Sequence, residues 1–263
     1  MNVIITTAGR PDEHSEALLQ QAADALQAPV VERNKRSIPK LKNIYQAGVL
    51  VAGKDRYSFY QKGSDEPFFF HPNSATYRLK RILKGEADPL VAAADLRLGD
   101  SFLDCTLGLG SDAIIAASAV GEKGTVEGIE ADPIIAFLTK VGLHNFSIDF
   151  PLLQEAMKRV QVIHAEAVDF LKTCETNSRD IVFLDPMFTT PIEESSNFEV
   201  LREIGVTDIV TEEWVAEALR VCRRRVVLKD HYQSPMFERF GFIQQIRPYT
   251  KVHYGVLEKC DRL

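Results

Sequence analysis

The chain has 263 residues, 45% hydrophobic and 26% charged, with a formal net charge of −6 at pH 7. This is the make-up of an ordinary globular protein, without the run of about 20 apolar residues that a membrane span needs. The overall acidity does not advertise nucleic acid, and Cys105, Cys174, Cys222 and Cys260 lack the spacing of a disulfide framework or a zinc site, as expected of reduced thiols in the cytoplasm.

The opening seven residues lack the basic flank and long apolar stretch of a secretory leader. Val3–Thr6 is a short β-like run ended by Gly9-Arg10-Pro11, and Asp12 is suited to cap a helix reaching about Leu26. Val49–Ala52 and Tyr57–Gln61 predict a hairpin. Pro72-Asn73-Ser74 predicts the start of a helix lined by Tyr77, Leu79, Ile82 and Leu83, and Gly85 to Pro89 then breaks the chain. Residues 1–95 hold 13 Lys and Arg against 11 Asp and Glu, whereas residues 96–263 hold 18 against 26. Two stretches of the first part, Arg33–Lys42 and Arg78–Lys84, are basic without a single acid. A pair of solvated faces accounts for them as readily as a binding surface does.

From Leu98 the pattern becomes regular. Strands are predicted at Phe102–Cys105, Thr125–Ile129, Val160–His164, Ile181–Leu184 and Arg225–Lys229. Helices are predicted at Asp112–Val120, Pro133–Leu143, Phe150–Arg159, Ala167–Cys174 and Glu212–Cys222, and Phe242–Pro248 with Lys251–Glu258 closes the chain as an antiparallel hairpin. Alternating strands and helices predict an α/β domain over 96–263, with a mostly parallel sheet covered on both faces, behind a small N-terminal α+β region over 1–95. Ligands of such sheets sit beyond the carboxyl ends of the strands.

Four strand ends carry the chemistry. The first runs Asp104-Cys105-Thr106-Leu107-Gly108-Leu109-Gly110-Ser111-Asp112, a glycine turn that lets a ligand approach the backbone before a helix whose free N–H groups face it. Any tight strand-to-helix turn can use such glycines. The second ends in Glu130-Ala131-Asp132. Glu130, twenty residues after Gly110, is positioned to accept ribose hydroxyls, while Asp132, directly before Pro133, is read as a helix cap. The third ends in His164-Ala165-Glu166-Ala167, with Glu166 either an adenine contact or a solvent-facing acid and His164 a packed core residue. The fourth ends in Asp185-Pro186-Met187-Phe188. It resembles the (Asn/Asp)-Pro-Pro-(Tyr/Phe) motif of enzymes that methylate exocyclic amino groups. A conjugated amine is a poor nucleophile, and a carboxylate with a backbone carbonyl can orient its lone pair while the aromatic ring stacks on the base. The loop Thr189–Val210, with Glu193, Glu194, Glu199 and Glu203, reads either as a lid or as a surface insertion.

Together these segments, with Arg225-Val-Val-Leu-Lys229 and Lys251-Val-His-Tyr-Gly255, resemble the RsmJ-type methyltransferases, which act on guanine N2 of small-subunit ribosomal RNA. The resemblance implies a seven-stranded Rossmann-like class I sheet and S-adenosyl-L-methionine as cofactor. It implies cofactor contacts from Asp104, Thr106, Gly108, Gly110, Ser111 and Asp112 at the first strand end. Glu130 and Ala131 would lie near the ribose, Glu166 and Ala167 near the adenine, and Asp185 at the methyl, with Asp185, Pro186 and Phe188 catalytic. No metal is implied, and RNA would be gripped by the N-terminal basic stretches. The likeness extends weakly upstream, to Arg36-Ser-Ile-Pro-Lys-Leu41. Two departures stand out: Asp230-His231-Tyr232 where the family tends to have a basic residue and a proline, and Phe68–Ser74 in place of a basic, glycine-rich stretch. They suit a sister subfamily with a different target. The residues alone leave open a protein side chain or a small metabolite as acceptor. A nicotinamide enzyme is disfavoured by Thr106, where a dinucleotide fold has its first glycine.

Overall fold

The two apolar runs Val3–Thr7 and Gly48–Ala52 pair with each other. In a computed structural model, which describes residues 2–186 and 210–259, β1 (Val3–Thr7) and β2 (Gly48–Ala52) are buried along their whole length and run parallel. A parallel pair needs a crossover, supplied by α1 (Glu13–Leu26), whose cap is the predicted Asp12 accepting the Ser15 N–H at 2.9 Å. A short α2 (Ile38–Tyr45), capped by Ser37, begins within the first basic stretch. β3 (Tyr57–Tyr60) and β4 (Pro67–Phe68) complete a four-stranded sheet in the order β1-β2-β3-β4.

Next come α3 (Asn73–Ile82) and α4 (Pro89–Ala94). On α3 the expected apolar lining is only partly realised, because Leu79 is buried but Tyr77 and, just beyond the helix, Leu83 are exposed. The larger sheet is built from β5 (Ser101–Asp104), α5 (Ser111–Val120), β6 (Thr125–Glu130), α6 (Pro133–Asn145), α7 (Pro151–Arg159), β7 (Val160–His164), α8 (Ala167–Thr173) and β8 (Arg179–Leu184). After residue 209 follow α9 (Glu212–Val221), β9 (Cys222–His231), α10 (Met236–Arg239), β10 (Ile243–Gln245) and β11 (Val252–Glu258). The order is β10-β11-β9-β8-β5-β6-β7, with β11 antiparallel to both neighbours and the five strands from β9 to β7 parallel. This is the mostly parallel seven-stranded sheet that the sequence resemblance implies.

Two differences from the sequence pattern have clear causes. β9 runs on to Asp230 and His231 because β11 pairs with both, sheltering polar residues that a hydropathy pattern assigns to a loop. β10 stops at Gln245, well before Pro248, which has no N–H to donate, and Tyr249 adopts φ +66°. The apolar core is continuous across the two sheets, from Ile5 and Leu50 through Phe70 to Ile115 and Phe183. Phe70 lies so close to α6 that a Cβ at Gly142 would fall 2.0 Å from its ring. α3 and α4 pack on α5, and α4 also on β9 and β11, so residues 73–94 cover the large sheet although they precede residue 96. Among the described residues no helix is long and apolar enough to cross a membrane.

Candidate active site

Parallel strands finish on one edge, and register fixes which ends are neighbours. Asp104 lies opposite Gly128 of β6 and Phe183 of β8, and Glu130 lies opposite His164. The turn after β5 is pinned by Leu107 N–H on the Ile129 carbonyl (2.9 Å), and Gly108 and Gly110 sit at φ +51° and +74°, a region that strains a side chain-bearing residue. A Cβ on Gly108 would meet nothing within 4 Å, so the space over the turn is open.

Glu130 is tied directly to that turn. Its carboxylate accepts the Gly108 N–H at 3.0 Å and the Asp132 N–H at 2.9 Å, while Asp132 caps α6 through Ile134 and Ile135 as its place before Pro133 predicts. Ala131 adjoins both. Ser111 opens α5, and Asp112 is buried in its first turn. Glu166 and Ala167 begin α8, one strand over, where they line a cleft of about 330 Å³ with Thr211 and Trp214. Glu166 is exposed and makes no capping bond. His164 is not a core residue: it is exposed, with Nε2 3.1 Å from the Ala131 carbonyl. The rim therefore brings Asp104, Thr106, Gly108, Glu130 and Asp185 into one connected set, with Glu166 and Ala167 at its flank. Met187, Phe188 and the loop at 189–209 lie outside the described residues.

Thr106 bridges two strand ends. Its hydroxyl accepts the Asp185 N–H at 2.7 Å and donates to Asp104, whose same oxygen takes the Thr106 N–H at 3.0 Å. A chain of ion pairs meets this bridge from the other side. Arg78 holds Asp88 through two 2.8 Å bonds and Asp112 at 2.5 Å, and Lys229 holds Asp112 at 2.9 Å and Asp185 at 2.5 Å. Burial, with Asp112 and Asp185 adding to it, pushes Asp104 up to about 8. Burial and Asp112 push Asp185 up to about 6 against the pull of Lys229. Burial acts to raise Asp112 too, but Lys229 and Arg78 outweigh it and hold the carboxyl below the usual range. Lys229 is raised because its two aspartates overcome its own burial.

Lys229 and Arg78 were not among the site residues expected from sequence. A lysine closing a valine-leucine strand on the same edge as Asp185 was the available signal for Lys229. Arg78 belongs to a basic stretch expected to face RNA, and the structure turns it inward onto Asp88 and Asp112. Lys42 of the other stretch is likewise buried, against Asp65 and two carbonyls.

The raised Asp104 makes a stability prediction. A folded-state pKa near 8, set against about 3.9 when unfolded, means the native chain holds the proton more tightly. The resulting penalty is absent in acid and grows as pH rises from about 4 to about 8. Melting temperatures of the cofactor-free protein should show this decline, and Asp104→Asn should flatten it. An unchanged slope in the variant would place the ionisation elsewhere.

The sequence profile of a family described as "Putative SAM-dependent methyltransferase" matches residues 69–247. The chain belongs to the SAM-dependent methyltransferase family. S-Adenosylmethionine is accordingly its cofactor. This methyltransferase is 44% identical to the Bacillus subtilis (strain 168) protein YpiP, described as uncharacterized, over 97% of this chain and 99% of that one. It is 31% identical to ribosomal RNA small subunit methyltransferase J of Hydrogenovibrio crunogenus over 57% of this chain and 55% of that protein. To the protein of the same name from Idiomarina loihiensis it is 27% identical over 66% and 67%. The chain thus spans about half to two-thirds of the length of those two relatives. In fold it resembles the crystal structure of the SAM-dependent methyltransferase NGO1261 from Neisseria gonorrhoeae, with a TM-score of 0.62 at 19% identity, covering 98% and 96% of the two chains.

Proposed function

We propose that this methyltransferase transfers the methyl group of S-adenosylmethionine to an exocyclic amino group of RNA, guanine N2 of small-subunit ribosomal RNA being the acceptor favoured. The observation that carries the reading is Asp185. It is a carboxylate at the end of β8, buried enough to be raised to about 6, held by Lys229 and bonded through its own N–H to the turn after β5. The names of the ribosomal RNA relatives support the acceptor class.

The residues suit the cofactor. Among the described residues Asp88, Asp112 and Asp185 pair with Arg78 and Lys229, and Asp104 has neither as a direct partner. A cation bound near Asp104 would favour its ionised form, and S-adenosylmethionine would supply both such a charge and the activated methyl group. In this reading Gly108 and Gly110 leave backbone room, with Ser111 and Asp112 at the mouth of α5. Glu130 and Ala131 hold the ribose, and Glu166 and Ala167 face the adenine in the neighbouring cleft. Asp104 and Thr106 fix the distance between turn and β8. Asp185, with the Pro186 backbone, accepts the two hydrogens of the acceptor amine and turns its lone pair to the methyl. Phe188 is the expected stacking partner of the base. Methylation makes the nitrogen acidic, and its proton leaves to Asp185 or to water.

Glu130→Ala is expected to weaken S-adenosylmethionine binding by about 10- to 100-fold, since it removes a charged hydrogen-bond acceptor and unties the Gly108 turn. Calorimetry reads this, and Glu130→Gln should lie between; wild-type affinity in Glu130→Ala would refute the ribose assignment. For the function itself, ribosomal RNA from a deletion strain should lack one methylguanosine, restored by the wild-type gene and not by Asp185→Ala. A full set of methyl marks in the deletion strain would refute the ribosomal reading and turn the search to protein or small-molecule acceptors.

A further inference from the structure

The cleft next to Lys229 opens between two elements that display aromatic rings and cations to solvent. On one side is α3, where Tyr77 is 64% exposed with the Arg81 guanidinium 5.7 Å from its ring centre. On the other is the turn between β10 and β11, where Ile246 is 80% exposed and Tyr249 fully so. That turn carries Arg247 and Lys251, and no acid occurs from residue 243 to 253. The cleft, of about 230 Å³, is lined by Ser74 and Arg81 on the first side and Arg247 and Tyr254 on the second, with Lys229 reaching in. The Lys229 ammonium is the one that holds Asp185.

Among the described residues no packing contact accounts for the exposure of Ile246 and Tyr249. Tyr249 stands in the left-handed backbone region at φ +66°, strained for a non-glycine residue, and its ring is fully exposed among the described residues. Arg247 is fixed at the mouth by a 3.2 Å bond from its guanidinium to the Val252 carbonyl. Glu86 and Asp88 also border the cleft, but Asp88 is neutralised by Arg78 and the exposed Glu86 pairs with the exposed Arg81, a contact of little strength in water.

We infer that these two elements seat a single-stranded segment of the RNA substrate, Arg81 and Arg247 meeting phosphates that flank the target nucleotide and Tyr77 and Tyr249 stacking its neighbours. The inference rests on the RNA reading above. Aromatic faces receive any base, and cations track the backbone without reading sequence. A cleft of this size excludes a duplex, so the acceptor enters as an unpaired or extruded base. RNA engagement thereby moves from the N-terminal stretches as a whole to one helix of them and the C-terminal hairpin.

The test measures binding of in vitro transcribed, unmodified small-subunit ribosomal RNA by the full-length protein over a range of salt. Arg247→Ala and Tyr249→Ala should each weaken binding about tenfold, and Arg247→Ala should lower the salt slope by about 1. S-Adenosylmethionine affinity and melting temperature should be unchanged in both. A Lys35→Ala/Lys40→Ala variant, on the exposed remainder of the first basic stretch, should stay within about threefold of wild type. If the wild type binds the RNA and the Arg247 and Tyr249 variants bind equally well, this surface is overturned while the RNA reading stands. If the wild type shows no affinity for RNA, both fall together.

Discussion

Asp185→Ala is expected to lower the methyl-transfer rate by about 10²- to 10⁴-fold while leaving S-adenosylmethionine affinity within a few-fold of wild type. The asymmetry follows from position. Asp185 lies at the end of β8, and Thr106 bonds its backbone N–H, which the alanine keeps. The side chain is what disappears, and with it the acceptor proposed for the amine hydrogens. Lys229 retains Asp112, so the variant keeps a paired cation in the interior. Wild-type activity should also fall as pH drops through about 6, where Asp185 takes up a proton and ceases to accept both hydrogens. Single-turnover rates across pH, with saturating cofactor, separate this effect from binding. A pH-independent rate, or an alanine variant of near-wild-type speed, would remove Asp185 from the reaction.

Lys229→Met is expected to act twice. Removing one member of a buried ion-pair chain costs about 3–5 kcal/mol when the partner stays charged. The carboxyls respond by holding their protons more tightly, so the loss of stability is smallest in acid and grows as pH rises above about 4. The second effect is on the reaction. Asp185 faces Lys229 from β9, Asp112 from α5, Asp104 from β5 and Asp230 further along β9. Without the ammonium, and with Arg78 engaged by Asp88 and Asp112, Asp185 keeps its acidic neighbours and loses its direct cationic partner. Its ionisation then moves to higher pH, and the midpoint of the rate profile should move upward with it by about one unit or more. Lys229→Arg keeps the charge and should return the midpoint towards that of the wild type even if packing suffers. A methionine variant with an unmoved midpoint would reduce Lys229 to a structural tie.

Much of the larger sheet was legible because its strands are apolar runs too short for a helix that alternate with helical patterns, as Ile181–Leu184 illustrates. Caps were legible for the same local reason: Asp12 and Asp132 each stand at the boundary that their side chains create. The Asp88-Pro89 pair carried the same signal for α4 but was masked by the break around Gly85. What the sequence could not reveal were partners distant along the chain. Glu130 could be matched to a ribose, but its hold on Gly108 depends on a turn from another strand. Arg78 sits among cations that look like one outward face, yet a helix turns each residue by about 100°. Which of them points inward is decided by Asp88 and Asp112. Tyr77 was assigned to the buried side for the converse reason, an aromatic ring being read as core.

The ion-pair chain from Asp88 to Asp185 has an evolutionary corollary. One of its links, Arg78, is contributed by the α3 helix, upstream of the strands that carry the remaining chemistry. A graft that exchanged the first third of this chain for a relative's would import a new electrostatic setting for the Asp185 carboxylate along with any new substrate grip. Positions 78, 88, 112, 185 and 229 should consequently drift as a linked group, a substitution at one surviving only where the others compensate.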